Sequence, residues 1–374
     1  MIYLDNAATT KYKPDEVIAA FEYYVREIGV SPGRGSYKIG IEASRMLYQA
    51  RKNVGLFFGL KPEKNVVFTK NSTEAINLLF HGLLRQGNHV VISCYEHNAV
   101  LRPLEHLRRE GVIDYSVIVR EDLLLSPEEI YKKYCNENTV VFESTLASNI
   151  TGRVIFREEV FQYMRARGIK TFLDSSQGAG KIAISMDSQG IDYLAFTSHK
   201  DLMSLPGAGG LCCKDNKKMI PLMQGGTGIF GDLYVNPNSF PEGLEAGTLD
   251  MPAIWSLNVA LHLIEKNKSR IYKQDQELRD YMIEKLKSMK NVTVYDADFP
   301  GVGTVGFNVV GYSSSDIVKK LDEQDVCVRG GIHCAILAHE ALGTVNEGIV
   351  RASIGNRSSR EDVDCLIKIL NECR

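Results

Sequence analysis

Ile191-Asp-Tyr-Leu-Ala-Phe-Thr197, Ser198-His199-Lys200 and then Leu205-Pro-Gly-Ala-Gly-Gly-Leu211 decide how this 374-residue chain is read. The apolar run predicts a buried strand, and the lysine falls where that strand ends. Upstream, Ile169-Lys-Thr-Phe-Leu-Asp174 predicts a second strand, which ends on a carboxylate, with Gln177 three residues on. A lysine and an aspartate at neighbouring strand ends suit pyridoxal phosphate (PLP). The amine can form a Schiff base, and the carboxylate can keep the pyridine nitrogen protonated so that the ring accepts electrons. Taken alone, Ser-His-Lys also reads as a surface lysine at a strand end.

Working outward, short apolar strands alternate with amphipathic stretches from about residue 16 to 210. Strands are expected at 65–69, 89–93, 115–119, 139–143, 171–174 and 193–197, and helices at 41–58, 74–85, 127–134 and 157–167. This alternation predicts an α/β fold with a mostly parallel sheet flanked by helices. Ligands of such sheets sit beyond the carboxyl ends of the strands, where Glu96-His97, Ser148-Asn149, Asp174 and Lys200 fall. From about 212 to 252 the pattern loosens into turns ending in Glu245-Ala-Gly-Thr-Leu-Asp250. A long amphipathic stretch, 253–289, leads into an α+β region with strands at 292–295, 305–310 and 349–353 and helices at 315–323 and 361–372.

The length allows two domains. A formal net charge of -2 without a basic stripe argues against nucleic acid as a partner. No apolar run approaches the roughly 18 residues of a membrane span, and Met1-Ile-Tyr-Leu-Asp5 reads as a strand rather than a signal peptide. A cytoplasmic location away from the membrane is therefore expected. The eight cysteines form no C-x-x-C pair and no zinc pattern, so neither a metal site nor a disulfide framework is expected.

Several motifs carry two readings. In Asn71-Ser-Thr-Glu-Ala75, Ser72 or Thr73 can cap a helix, and the same helix start can cradle a phosphate. His97 can be a packed strand-end residue or a flat group stacked over a cofactor ring. Gly226-Thr-Gly-Ile-Phe-Gly231 and Gly301-Val-Gly-Thr-Val-Gly306 match a dinucleotide fingerprint but do not run from strand to helix, and are read as loops. Arg329-Gly-Gly-Ile-His-Cys334 predicts a shaped loop with a cysteine at its tip, where a nearby cation would raise the thiolate fraction. Arg351, inside the apolar strand Val350-Arg-Ala-Ser-Ile354, needs a partner. A substrate carboxylate held bidentately or a structural ion pair would serve.

These residues together resemble the class V branch of fold-type I PLP enzymes, and more closely the group II cysteine desulfurases and selenocysteine lyases. The resemblance runs from Tyr3-Leu-Asp-Asn-Ala-Ala-Thr9 through Pro32-Gly-Arg-Gly35, Asn71-Ser-Thr-Glu74, Glu96-His97, Asp174-x-x-Gln177 and Ser198-His-Lys200. It continues through Glu245-Ala-Gly-Thr248, Arg329-x-Gly-x-His-Cys334 and Val350-Arg351-x-Ser353. It implies a large domain, 16–252, with a mostly parallel seven-stranded sheet. It also implies a smaller α+β domain, built from 1–15 and 253–374, that carries the Cys334 loop.

By position, the resemblance implies that Lys200 carries the cofactor and moves protons at the substrate Cα. Asp174 pairs with the pyridine nitrogen, Gln177 meets the phenolic oxygen and His97 stacks on the ring. Ser72, Thr73, Ser198 and His199 hold the phosphate, and Thr248 from a second copy completes the site of a homodimer. Asn149 lies near the substrate, Arg351 grips its carboxylate, and Cys334 takes its sulfur as a persulfide. The implied reaction converts L-cysteine to L-alanine and hands sulfur to an acceptor, which is a further protein or a small thiol. Selenocysteine lyase uses the same residues, and an aminotransferase on the same fold would not need Cys334. The chain departs from the family pattern at Ser36-Tyr-Lys38, at Asp201-Leu-Met-Ser-Leu-Pro206 and at Gly355-Asn-Arg-Ser-Ser359.

Overall fold

The computed structural model describes residues 1–33, 35–214 and 219–373, so Arg34 of the Pro32-Gly-Arg-Gly35 motif lies outside the described residues. The chain opens with a short strand, β1 (Ile2–Tyr3), and two helices, α1 (Asp15–Tyr23) and α2 (Lys38–Phe57). Strands and helices then alternate. They are β2 (Val66–Thr69), α3 (Ser72–Leu83), β3 (Asn88–Ser93), α4 (Asn98–Arg109), β4 (Ile113–Ile118) and α5 (Pro127–Tyr134). Next come β5 (Thr139–Thr145), α6 (Glu158–Ala166), β6 (Lys170–Asp174), β7 (Tyr193–Thr197) and β8 (Gly209–Cys213).

The seven strands β2 to β8 form one sheet in the order β2-β8-β7-β6-β5-β3-β4. The pairs from β7 across to β4 are all parallel, while β8 runs antiparallel to both its neighbours. Both faces are apolar because helices cover both. Along β7, Leu194 and Phe196 face one core, and Tyr193 and Ala195 face the other. The strand order reverses between β3 and β5, which opens a crevice beyond their carboxyl ends.

The 37-residue helix α7 (Met251–Lys287) crosses from one core to the next. Ile254, Leu257 and Ile264 pack beneath the large sheet, whereas Leu278, Met282 and Leu286 pack on a second core. That core surrounds the antiparallel sheet β12-β13-β10-β9. Its elements are β9 (Val292–Val294), β10 (Thr304–Val309), α8 (Ser314–Asp322), β11 (Val326–Cys327), β12 (Arg329–Gly331), β13 (Ile349–Ser353) and α10 (Arg360–Asn371), while α9 (Ile336–Leu342), between β12 and β13, packs on the core of the large sheet. Strand β1 pairs in parallel with β11, so the N-terminus joins this core through Leu4.

Three differences from the sequence reading have physical causes. Gly209 and Gly210, given no element by the sequence pattern, begin the strand β8, at positions where a side chain would not fit. A Cβ on Gly209 would lie 2.7 Å from the Asn71 backbone, and one on Gly210 would lie 2.6 Å from the Phe196 ring. Helix α4 contains Pro103 and so carries a weak sequence signal. In Gly301–Gly306, the last three residues are not loop but the start of β10.

A buried ion pair fixes the loop that carries Thr248. Arg51 of α2 donates Nη1 and Nη2 to Glu245 at 2.7 and 2.9 Å, and Glu245 Oε1 also accepts the Phe68 N–H at 2.6 Å. Glu245→Ala would strand the Arg51 charge and is expected to cost about 3–5 kcal/mol, read as a lower urea midpoint.

Candidate active site

The crevice at the strand ends is a cavity of about 330 Å³. Its lining includes Ser72, Thr73, His97, Asn149, Asp174, Gln177, His199, Lys200, Cys334 and Arg351. Ten of the expected site residues therefore meet in one place. Two do not. The Ser198 hydroxyl is buried and donates to the Leu205 carbonyl, and Thr248 lines a separate surface cavity with Thr69, Glu74 and Met223.

Each group on the sheet side is held by its neighbours. Asp174 ends β6, and its Oδ1 accepts from the Ser176 N–H at 3.0 Å and from the Ser176 hydroxyl at 2.5 Å. No hydrogen bond engages Oδ2 among the described residues, which leaves it for a ring nitrogen. Gln177 donates one amide N–H to the Ala7 carbonyl at 2.9 Å and keeps a second for a ligand. Lys200 follows β7, and its carbonyl accepts from the Thr10 hydroxyl at 2.6 Å. Burial holds its ammonium below the usual lysine range, while Asp174 opposes the shift. That favours the free amine that Schiff-base formation needs. His97 caps α4, its Nδ1 accepting the Ala99 N–H at 3.0 Å, so the ring proton sits on Nε2. Burial and then Lys200 push it down to about 4, so a neutral, flat ring faces the cavity near pH 7.

The helix start differs from the expectation in one respect. The cap of α3 is Asn71, whose Oδ1 accepts the Glu74 N–H at 2.9 Å, and neither Ser72 nor Thr73 fills that role. An extended Asn71 backbone places its side chain there first. Both hydroxyls thus stay available at a helix terminus that favours an anion. His199 lines the same cavity, with Nδ1 3.1 Å from the Thr9 hydroxyl, and burial lowers it to about 4. The donor set fits PLP: an anion cradle at one end, a carboxylate oxygen and an amine at the other, and a flat ring alongside.

Cys334 is exposed and lies on a loop with unusual backbone angles: φ is +51° at His333 and +58° at Cys334. Two consecutive left-handed residues that are not glycine cost of order 1–3 kcal/mol each unless the surroundings hold them. Here the Asn98 N–H donates to the Cys334 carbonyl and Asn149 Nδ2 donates to the His333 carbonyl, both at 2.7 Å. His333 Nε2 meets the Ile349 carbonyl at 2.9 Å.

Arg351 is 2% exposed. Its Nη2 pairs with Asp5 at 2.6 Å and its Nη1 donates to the Asn149 carbonyl at 3.0 Å, while the buried Nε has no partner among the described residues. The ion-pair reading of this residue is thus met, by an aspartate that the sequence reading did not single out. Directly across the ladder stands Arg329, in register with Arg351 and also lining the cavity. Facing like charges repel, and Asp5 offsets only one of them. An anion in the cavity would offset the other. Arg329 was visible in sequence only as the first residue of the cysteine motif; its register with Arg351 is a property of the fold.

Comparison with known proteins agrees with this geometry. The Aminotransferase class-V family description matches residues 2–366. The chain belongs to the class V aminotransferase family. A probable cysteine desulfurase of Methanothermobacter thermautotrophicus is 32% identical over 99% of this chain and 94% of its own length. One from Halalkalibacterium halodurans is 28% identical over 100% of this chain and 93% of its own. Among solved structures, the apo cysteine desulfurase of Thermococcus onnurineus NA1 superposes with a TM-score of 0.90 at 28% identity, over 100% of this chain and 94% of that one. A cysteine desulfurase from Escherichia coli, at 23% identity and TM-score 0.86, covers 99% of this chain and 94% of its own and shares the fold.

This class V aminotransferase family member also buries a carboxyl pair that sequence reasoning missed. Glu96 and Glu143 are both fully buried. Glu96 Oε1 accepts from the Ser93 hydroxyl and, at 2.9 Å, from the Thr145 N–H, while Oε2 and both Glu143 oxygens lack any other donor. Burial raises Glu96 to about 7, and burial with the facing Glu96 charge raises Glu143 well above the usual range. Burial therefore biases both toward the protonated form. A glutamate inside the apolar run Thr139-Val-Val-Phe-Glu143 was the available signal.

Because both folded values lie above the unfolded one, this stabilisation is present at low pH and is lost as pH rises through about 7. Glu143→Gln keeps a hydrogen-bond donor toward Glu96 and removes one ionisation. Its urea midpoint is expected to fall less between about pH 5 and about pH 8 than that of the parent. The difference is at most about 1.4 kcal/mol per pH unit.

Proposed function

We propose that the chain is a PLP-dependent L-cysteine desulfurase that converts L-cysteine to L-alanine and takes the sulfur onto Cys334 as a persulfide. The observation that carries this reading is that Cys334 and Lys200 open onto one cavity. An aminotransferase would have no use for a thiol there. The names of the relatives support the same reading.

Lys200, Asp174, Gln177, His97, Ser72, Thr73 and His199 would hold PLP, which when bound supplies an electron sink for the Cα–H and Cβ–S bonds of the substrate. The Lys200 amine, kept partly unprotonated by burial, takes the substrate's Cα proton and returns it. Asp174 Oδ2 holds the proton on the ring nitrogen. Arg329 and the free Nε of Arg351 receive the substrate carboxylate, and Asn149 keeps Arg351 and the cysteine loop in register. The Cys334 thiolate attacks the substrate sulfur. A S–S bond forms, the Cβ–S bond breaks, and its electron pair stays on carbon to become, with a proton, the methyl group of alanine.

The rest of the proposal concerns assembly. The large unit is taken as 16–252 and the smaller one as 1–15 with 253–374, supported by the β1–β11 pairing. Thr248 serves the site of a second copy in a homodimer. Exposed Leu222 and Met223, which line the Thr248 cavity, support a partner there. Eight free cysteines fit a reducing compartment such as the cytoplasm. A protein or small-thiol acceptor then removes the persulfide sulfur.

The purified protein loaded with PLP, given L-cysteine and reductant, is expected to release alanine and sulfide in equal amounts. Cys334→Ala should keep the cofactor's absorption band and lose turnover by about 100-fold or more. An unaffected Cys334→Ala variant would point to transamination. Turnover of selenocysteine alone would replace the substrate.

A further inference from the structure

A second cavity, of about 280 Å³, lies behind the Lys200 turn and shares no lining residue with the first. Five segments wall it: residues 10–16 leading into α1, Lys181, one stripe of α7, the Asp201–Met203 turn and residues 354–357 beyond β13. On α7 the lining residues are Leu263, Asn267, Arg270, Ile271, Gln274 and Asp275, at the spacing of a single helix face. The turn and the 354–357 segment contain two of the departures from the family pattern, Asp201-Leu-Met and Gly355-Asn-Arg. Those departures thus meet at one cavity.

The inner end is closed by a satisfied charge cluster. Lys181 lies 3.0 Å from Asp201 and 2.8 Å from Asp275. Asp201 and Asp275 in turn accept the Gly178 and Gly303 N–H groups at 2.7 and 2.8 Å. Nothing in this cluster is left over for a ligand. The other two cations of the lining are different. Neither Arg270 nor Arg357 has an acidic partner among the described residues. Arg357 lies 5.4 Å over the Tyr12 ring, a contact that orients the guanidinium without neutralising it. The rest of the lining includes the apolar Pro14, Met203, Leu263, Ile271 and Ile354.

We propose that this cavity is a binding site for a small amphipathic carboxylate. Arg270 and Arg357 receive the carboxylate, whose planar geometry matches a guanidinium fork. A short aliphatic or thioether chain covers the apolar wall. Glu16, the remaining charged side chain of the lining, has no cationic partner among the described residues and repels a dianion. The ligand is therefore a monoanion or a zwitterion. Its seat touches the Lys200 turn through Thr10, whose hydroxyl bonds the Lys200 carbonyl.

Isothermal titration of the full chain with hexanoate tests the site without measuring turnover, so the result stands whether or not the desulfurase reading does. Saturable binding of one hexanoate per chain is expected, with a Kd of roughly 1 mM or tighter. Hexylamine and hexanol should bind at least about tenfold more weakly, as should hexanoate to the R270A/R357A double variant. If that variant fails to fold, Arg270→Gln alone must weaken hexanoate binding. The proposal is overturned if hexanoate does not saturate, if hexanol binds as well, or if the arginine variants bind hexanoate like the parent.

Discussion

One buried guanidinium, that of Arg351, ties together parts of the chain as far as 346 residues apart. It sits on β13, pairs with Asp5 next to β1, and donates to the carbonyl of Asn149 beyond β5. The Asn149 side chain then holds the His333 carbonyl, and with it the loop that presents Cys334. The smaller sheet, the N-terminus and the cysteine loop are thus positioned against the large sheet through one charge. Leaving such a charge unpaired costs about 3–5 kcal/mol, which makes the arrangement stiff.

On the other side of the cavity, the constraint is the parallel run of β3, β5, β6 and β7. Parallel strands bring their carboxyl ends to one edge, so His97, Asn149, Asp174 and Lys200 converge although they span about a hundred residues of sequence. Burial then tunes them. It lowers Lys200 and His97 and raises Glu96 and Glu143. The same desolvation therefore favours the neutral form of all four groups.

Much of this was readable before the fold was seen. The apolar runs of β7 and β13 and the capped helix α5 carry strong local signals, and their observed bounds coincide with the expected ones. The residues around Lys200 followed because strand ends are readable and parallel sheets gather them. What escaped has a common cause: its meaning depends on contacts distant in sequence. Gly209 and Gly210 carry no strand pattern of their own, and their need for glycine shows only where Asn71 and Phe196 press against them. Asp5 is an ordinary acid until Arg351 reaches it. Arg329 becomes notable only in register with Arg351.

The central claim is that Cys334 accepts sulfur from the substrate, and peptide mass spectrometry after mixing the PLP-loaded protein with L-cysteine in the absence of reductant tests it most directly. The account predicts that the peptide containing Cys334 gains the mass of one sulfur atom, that dithiothreitol removes it, and that the other seven cysteines stay unmodified. Alanine release with no added sulfur on Cys334, or sulfur carried on a different cysteine, would contradict it.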